Sequence, residues 1–235
     1  MNRLYQQNCQ SYCSKCPTQP LCIASSLDAV ELIELEQSMQ LGKQLVAGSH
    51  AFVAGETVKQ QYHVRSGWLK TYYLTEAGDQ FITGFYMAGE IVPSFNRQGK
   101  FGHSAQALTD ASICGIDWAA EQVSASVWQT IGEHTHQMTN TTLIHQLNAK
   151  MTSAQKRVCG FLFDLMQRVA TLQRDATYIP TPMSRGDIAS YLGLTPESLS
   201  RALSALKQQG VIEADRHHVE ILKPNRLAVS ASHLF

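Results

Sequence analysis

Apolar and polar positions follow two different periods along the first half of the chain. Residues 27–40 place Leu27, Val30 and Ile33 at helical spacing, which predicts a short helix. From residue 41 to residue 118 the chain contains short runs rich in β-branched and aromatic residues, such as HAFVAG and QYHVRSG, and glycines separate these runs. Because this pattern is typical of strands joined by tight turns, it predicts a small antiparallel sandwich or barrel.

Two longer helices are predicted after the strand-rich region. Between about Val123 and Met151 the chain has no proline, and polar residues such as His134 keep the apolar stripe thin. A thin stripe suits a helix that pairs with another helix only under some conditions. A second helix, over about Ser153–Leu172, has a fuller apolar face. We therefore place a domain boundary near Ser153.

The segment MSRGDIASYLGLTPESLSRALSALKQQG predicts two short helices joined by a tight turn. Ser184 can cap a first helix that runs to about Leu192, and Gly193 can supply the turn. Thr195 can cap the second helix, which ends before Gly210. The runs VIEAD and HVEIL that follow predict a β-hairpin, so the whole segment is typical of a winged helix-turn-helix.

The second of these helices has an apolar face and a polar face. Leu199, Leu203 and Leu206 share the apolar face, which predicts packing on the first helix. In a helix-turn-helix the N-terminal residues of the second helix enter the major groove, where arginine can bind guanine and glutamate can accept a hydrogen bond from cytosine. We therefore predict a recognition helix within Thr195–Gln209, with DNA-contacting residues Arg185, Thr195, Glu197, Ser198, Ser200, Arg201 and Ser204.

Composition and charge limit the classes of function. Apolar residues make up 44% of the chain and charged residues 16%, which indicates a globular protein. Lys+Arg and Asp+Glu both number 19, so any DNA-binding surface must be a local patch. The chain has no P-loop, no G-x-S-x-G and no dinucleotide fingerprint, so we do not expect an enzyme. We find no membrane span and no signal sequence, and we expect a soluble, cytoplasmic protein.

Four of the six cysteines lie close together, in the pattern C-x3-C-x2-C-x5-C formed by Cys9, Cys13, Cys16 and Cys22. Disulfides are rare in the cytosol, where clustered cysteines more often bind metal or carry out redox chemistry. Tetrahedral zinc, an iron–sulfur cluster, a thiol–disulfide switch and free thiols all remain open on the spacing alone. Cys159 lies on the apolar face of a predicted helix, where a buried structural cysteine is expected.

The order of these features resembles the CRP/FNR family over nearly the whole chain. The stretches that carry the resemblance are the cysteine pattern, VRSGWLK, TEAGDQFITGFYMAGE, AQAL followed by Cys114, and SRGDIASYLGLTPESLSR. The resemblance implies an α+β fold with an N-terminal β-roll sensor, a long dimerisation helix and a C-terminal winged helix-turn-helix. The implied divisions are a cysteine-rich segment at 1–26, the β-roll at 27–122, the dimerisation helix at 123–152 and the DNA-binding domain at 153–235.

The resemblance also implies an oxygen-labile [4Fe–4S] cluster held by Cys13, Cys16, Cys22 and Cys114, with Cys9 as a non-ligand. The cluster would tie the N-terminal segment to the β-roll, so that two weakly associating long helices pair and the protein binds double-stranded DNA as a homodimer. Oxygen would then weaken the dimer by removing this tie.

Further implications concern DNA sequence and transcription. Glu197, Ser200 and Arg201 match base-reading positions, which implies a palindrome of TTGAT and ATCAA half-sites. The loops at Ser66 and Gly78 match positions that touch RNA polymerase in activators of the family.

Two other regulators remain as alternatives. One is controlled by zinc or by thiol redox chemistry at the same cysteines. The other responds to a cyclic nucleotide, for which the family uses a Gly-Glu pair followed by an arginine. Gly89 and Glu90 are present, but His103 stands where that arginine is expected, so the phosphate would have no balancing cation.

Overall fold

The computed structural model describes residues 12–94, 96–117, 123–148, 153–172 and 176–231. Cys9 lies outside these residues. Contacts divide the chain into two compact units, one formed by Met1–Asp79 with Thr83–Thr139 and the other by Gln80–Ile82 with Asn140–Phe235. Among the described helices, none is long and apolar enough to cross a membrane.

The N-terminal unit begins with short turns and one helix. Three 3₁₀ turns span Cys13–Lys15, Gln19–Leu21 and Ile23–Ser26, and helix α1 spans Ala29–Ser38. Asp28 caps α1 by accepting hydrogen bonds from the N–H groups of Val30 and Glu31, while the Glu31 side chain accepts from Asp28 N–H. The helix predicted over 27–40 is therefore present, but its last two residues belong to the first strand because that strand pairs along its length.

Ten strands follow, and most of them form two four-stranded sheets. They are β1 (Met39–Leu45), β2 (His50–Phe52), β3 (Gln60–Ser66), β4 (Trp68–Leu74), β5 (Gln80–Met87), β6 (Ile91–Val92), β7 (Asn96–Arg97), β8 (Lys100–Phe101), β9 (Ser104–Ala107) and β10 (Ala111–Asp117). One sheet has the order β1-β10-β3-β6 and the other β2-β9-β4-β5, while β7 pairs with β8. This arrangement confirms the predicted β-roll.

Apolar side chains from both sheets form the core of the roll. Phe52 stacks on Phe101 with ring centroids 3.8 Å apart, and Val64, Leu69 and Ile113 are almost completely buried beside them. Alternation along the strands places these residues inside, because successive side chains of a strand point to opposite faces.

A second core cluster joins the cysteine-rich turns to the helix that follows the roll. Helix α2 spans Ala125–Asn148, within the long helix predicted there. Val127 and Ile131 of α2 pack in one buried cluster with Ile23, Leu35 and Cys13, so this cluster links the turns, α1 and the first turns of α2.

The C-terminal unit contains helices and a three-stranded sheet. Its elements are α3 (Ala154–Ala170), β11 (Tyr178–Pro180), α4 (Arg185–Leu192), α5 (Pro196–Gln208), β12 (Ile212–Ala214), β13 (His218–Ile221) and α6 (Pro224–Ala231). The sheet order is β11-β13-β12. The helix-turn-helix and its β-hairpin wing therefore form where the sequence predicted them, and Cys159 of α3 is buried, 2% exposed.

Candidate cysteine cluster and nucleic-acid interface

Four cysteines line one pocket of the N-terminal unit. Cys13, Cys16 and Cys22 come from the turns before α1, and Cys114 comes from β10. All four are free thiols. The structure therefore brings together the four cysteines that the family resemblance implied, including one that lies about 90 residues away in the sequence.

Successive backbone turns bring the first three cysteines to the same pocket. The N–H of Cys16 donates to the Cys13 carbonyl at 3.0 Å, and the N–H of Cys22 donates to the Gln19 carbonyl at 3.3 Å. The Ser14 N–H donates to a carboxylate oxygen of Glu36 at 2.9 Å, which fastens the first turn to α1. The thiols are thus positioned by local hydrogen bonds of the polypeptide itself.

The environment of the thiols shifts their acidities in both directions. Burial, reinforced by the neighbouring Cys22, raises the pKa of Cys13 to about 12, and burial also raises the pKa values of Cys22 and Cys114. Burial opposes ionisation of Cys16 as well, but hydrogen bonds with Thr18, together with the charge and a hydrogen bond of Arg65, outweigh burial and lower the pKa of that thiol. Metal binding would release protons from the protonated thiols.

Sequence reasoning missed several residues of the pocket wall. Arg65 is 7% exposed and lines the pocket, and its positive charge favours the thiolate form of all four cysteines, although burial has the larger effect at Cys13, Cys22 and Cys114. Arg65 would therefore offset the negative charge of bound thiolates. Met39 approaches the Cys13 sulfur at 3.3 Å, and His63 lies in the same wall. The sequence feature that could have identified these residues is the i, i+2 spacing of His63 and Arg65, because residues two apart in a strand lie on the same face.

The donor set fits an iron–sulfur cluster. In the described part of the chain, no three His, Cys, Asp or Glu side chains converge closely enough to hold a single metal ion. A tetrahedral zinc ion requires sulfurs at about 2.3 Å from one centre. An iron–sulfur cluster is also bound by four thiolates, and the four thiols around this largely apolar pocket provide that set of ligands.

Gly89 allows the cysteine-rich segment to approach the roll. Its φ is +91°, and a Cβ there would lie 2.9 Å from both the Cβ and the carbonyl oxygen of Leu21. Gly78 has a similar φ of +88° but open space around it.

Gly89→Ala should lower the free energy of unfolding by about 1–3 kcal/mol more than Gly78→Ala, because only the first change adds a steric clash to backbone strain. Equal losses in urea unfolding would contradict this close approach.

The helix-turn-helix is held by the predicted caps. Ser184 and Asp187 form a capping box on α4, and Gly193 ends that helix with a φ of +61°. The Thr195 hydroxyl accepts a hydrogen bond from the Ser198 N–H at 3.2 Å and caps α5. The leucines predicted for the inner face are buried: Leu199, Leu203 and Leu206.

The opposite face of α5 is open to solvent. Four of the side chains predicted to contact DNA are exposed on it: Glu197, Ser200, Arg201 and Ser204. Hydrogen bonds from its own backbone N–H and from Thr195 lower the pKa of Glu197, so it is a carboxylate near neutral pH. Ser198 is half-buried, and its hydroxyl lies 3.5 Å from an Arg201 guanidinium nitrogen. This face carries the donors and the acceptor that base edges require.

Cations connect the helices to the wing. Arg185 donates to the carbonyl of Asp215 at 2.8 Å, and Lys207 donates to the carbonyl of Ala214 at 2.8 Å. Residues 153–235 contain ten Lys and Arg against seven Asp and Glu, an excess of three positive charges in a chain of zero net charge. The positive balance is thus local to the half that carries the helix-turn-helix.

The two residues predicted to contact polymerase lie at the end of one strand of the roll and in the turn between two others. Ser66 ends β3 and is half-buried, and Gly78 is exposed in the turn between β4 and β5.

His103 explains why the roll is poorly suited to a cyclic nucleotide. It is fully buried, with its ring 5.5 Å from that of Phe52 and 5.8 Å from that of Tyr73. Burial lowers its pKa to about 4, so the imidazole is neutral near pH 7 and supplies no cation for a phosphate. Glu90 accepts a hydrogen bond from the Met87 N–H at 2.9 Å.

Comparison with known proteins identifies both parts of the chain. Residues 43–120 match the family described as cyclic nucleotide-binding domain, and residues 156–229 match the Crp-like helix-turn-helix domain. The chain is 30% identical to the fumarate and nitrate reduction regulatory protein of Salmonella typhimurium, over 99% of this chain and 95% of that one. It is also 30% identical to electron transport regulator A of Shewanella oneidensis, over 95% and 91%.

A solved structure has the same fold over most of this chain. FixK2 from Bradyrhizobium japonicum is 25% identical, superposes with a TM-score of 0.70, and is matched over 80% of this chain and 95% of its own. These relatives are regulators and not enzymes, in agreement with the sequence prediction. The chain therefore belongs to the CRP/FNR family and is a transcription regulator with a DNA-binding helix-turn-helix.

Proposed function

We propose that this regulator holds a [4Fe–4S] cluster through Cys13, Cys16, Cys22 and Cys114, and that oxygen controls its DNA binding through this group. The observation that carries the proposal is the convergence of four free thiols on one pocket. The similarity over nearly the full chain to a fumarate and nitrate reduction regulatory protein supports it. Such a cluster, when bound, supplies an oxygen-labile cross-link between thiolates.

The residues around the pocket connect this cross-link to the long helix. Three ligand cysteines lie in the turns before α1, whereas Cys114 belongs to the sheet, so binding all four fixes the turns against the roll. Cys13 is also part of the buried cluster that contains Val127 and Ile131 of α2. The position of the turns therefore acts on the first part of α2. In the proposed homodimer, α2 pairs with its copy only when the turns are fixed.

Pairing determines DNA binding by geometry. A dimer presents two copies of α5 about one helical turn of DNA apart, which suits a palindrome of TTGAT and ATCAA half-sites. Changing the population from mostly dimer to mostly monomer requires about 5 kcal/mol, within reach of a lost cross-link. In this proposal the turns at Ser66 and Gly78 contact RNA polymerase.

Iron and sulfide analysis of protein purified without oxygen tests the proposal. We expect brown protein with about four iron and four sulfide per chain, colour loss on exposure to air, and a parallel loss of dimer in sedimentation. Colourless protein with one zinc ion per chain would reject the iron–sulfur cluster and favour the zinc-controlled alternative. Metal-free protein that forms a disulfide in air would favour the thiol switch instead.

A further inference from the structure

His63 is a buried polar side chain whose partners are missing. It is 2% exposed, and neither ring nitrogen has a hydrogen-bond partner among the residues that the structure describes. Leaving a buried donor or acceptor unsatisfied destabilises the folded state, so proteins rarely keep one without a reason. A leucine would occupy this core position without that loss.

The sheet register aims His63 at the cysteine pocket. His63 in β3 lies directly opposite Cys114 in β10, and antiparallel partners place their side chains on the same face of a sheet. The Cys114 thiol lies 3.8 Å from the His63 carbonyl oxygen. Both residues line the pocket together with Cys13, Cys16 and Cys22.

The imidazole of His63 carries at least one ring N–H donor in either protonation state, and within the described part of the chain that donor lines the pocket without a partner. Pro17 follows Cys16 and has no N–H, so it cannot donate a backbone hydrogen bond to a sulfur atom. Sulfur atoms of a bound cluster are weak acceptors, and N–H groups of the protein can donate hydrogen bonds to them.

We infer that His63 donates a ring N–H hydrogen bond to a sulfur atom of the group held by the four cysteines, and that this bond tunes the reduction potential of the group. The inference rests on the proposed [4Fe–4S] function. A hydrogen bond to sulfur withdraws electron density and stabilises the more negative, reduced state, so it raises the potential. His63 is in this sense a positioning and tuning residue, and the four cysteines remain the ligands.

His63→Leu and His63→Gln test the inference, since leucine removes the donor and glutamine restores an N–H. Protein purified without oxygen is analysed for iron and sulfide, by resonance Raman spectroscopy of the Fe–S stretching bands and by redox titration. We expect His63→Leu to retain the wild-type iron content, with shifted Fe–S bands and a lower midpoint potential. His63→Gln should return both quantities toward their wild-type values.

His103→Leu is the matched control, because it removes another buried histidine of the roll that does not line the pocket. Its bands and potential should equal those of the wild type. Unchanged bands and potential in His63→Leu, or loss of iron in both His63 variants, would overturn the inference. If only the leucine variant loses iron, and glutamine retains it with wild-type bands, the donor role stands. Wild-type protein without iron would reject the proposed function, whereas unchanged bands and potential in His63→Leu, or loss of iron in both His63 variants, reject the His63 inference alone.

Discussion

Cys114→Ala should abolish cluster binding, with iron falling from about four atoms per chain to nearly none. Cys114 supplies the one thiol of the pocket that comes from the sheet, so its loss leaves the three thiols of the turns without an anchor on the roll. Removing a ligand also removes the cross-link that fixes the turns against β10. Iron and sulfide analysis of protein purified without oxygen measures the first effect, and sedimentation measures the accompanying loss of dimer.

Cys159→Ala is the control for this experiment. Cys159 is buried in α3, 2% exposed, and is absent from the pocket wall, so its variant should keep full iron content. Both changes remove one sulfur atom from a buried position, but only Cys114 lines the pocket. Equal iron content in the two variants would show that Cys114 is not a ligand.

Local sequence signals predicted most elements because each depends on a few neighbouring residues. The caps at Ser184 and Thr195, and the glycine at Gly193, fix the helix-turn-helix through bonds that span three or four residues. The burial of the α5 leucines follows in the same way from helical period. The domain divisions placed by the sequence stay predictions.

The pocket wall could not be predicted in the same way, because it depends on strand register. His63 faces Cys114 only because β3 and β10 pair at one particular alignment, and a shift of one residue would turn His63 to the other face. Arg65 shares that dependence. The chain pattern of β3 showed which residues share a face but not which face meets the cysteines. The end of α1 was misplaced for a related reason, since Met39 pairs with Ile116 across the sheet.

Arg201→Ala should remove discrimination at a guanine of each half-site, with a loss of about 1–3 kcal/mol per contact. Arg201 is exposed on the polar face of α5, where its guanidinium can donate two hydrogen bonds to the major-groove edge of guanine. Fluorescence anisotropy at fixed salt compares a TTGAT palindrome with one in which the guanine is replaced by adenine. The wild-type protein should prefer the first sequence strongly, and the variant should bind both with similar affinity.

Lys207→Ala separates base reading from simple charge. Lys207 lies on the same helix, but its ammonium group donates to the Ala214 carbonyl in the wing, so it is engaged away from the base-reading face. Its loss should weaken binding to both palindromes by a similar factor, because a charge near the phosphates carries no sequence information. If Arg201→Ala gave the same uniform weakening, Arg201 would hold only phosphate. Sequence reading would then have to come from other exposed side chains near the N-terminus of α5, such as Glu197 and Ser200.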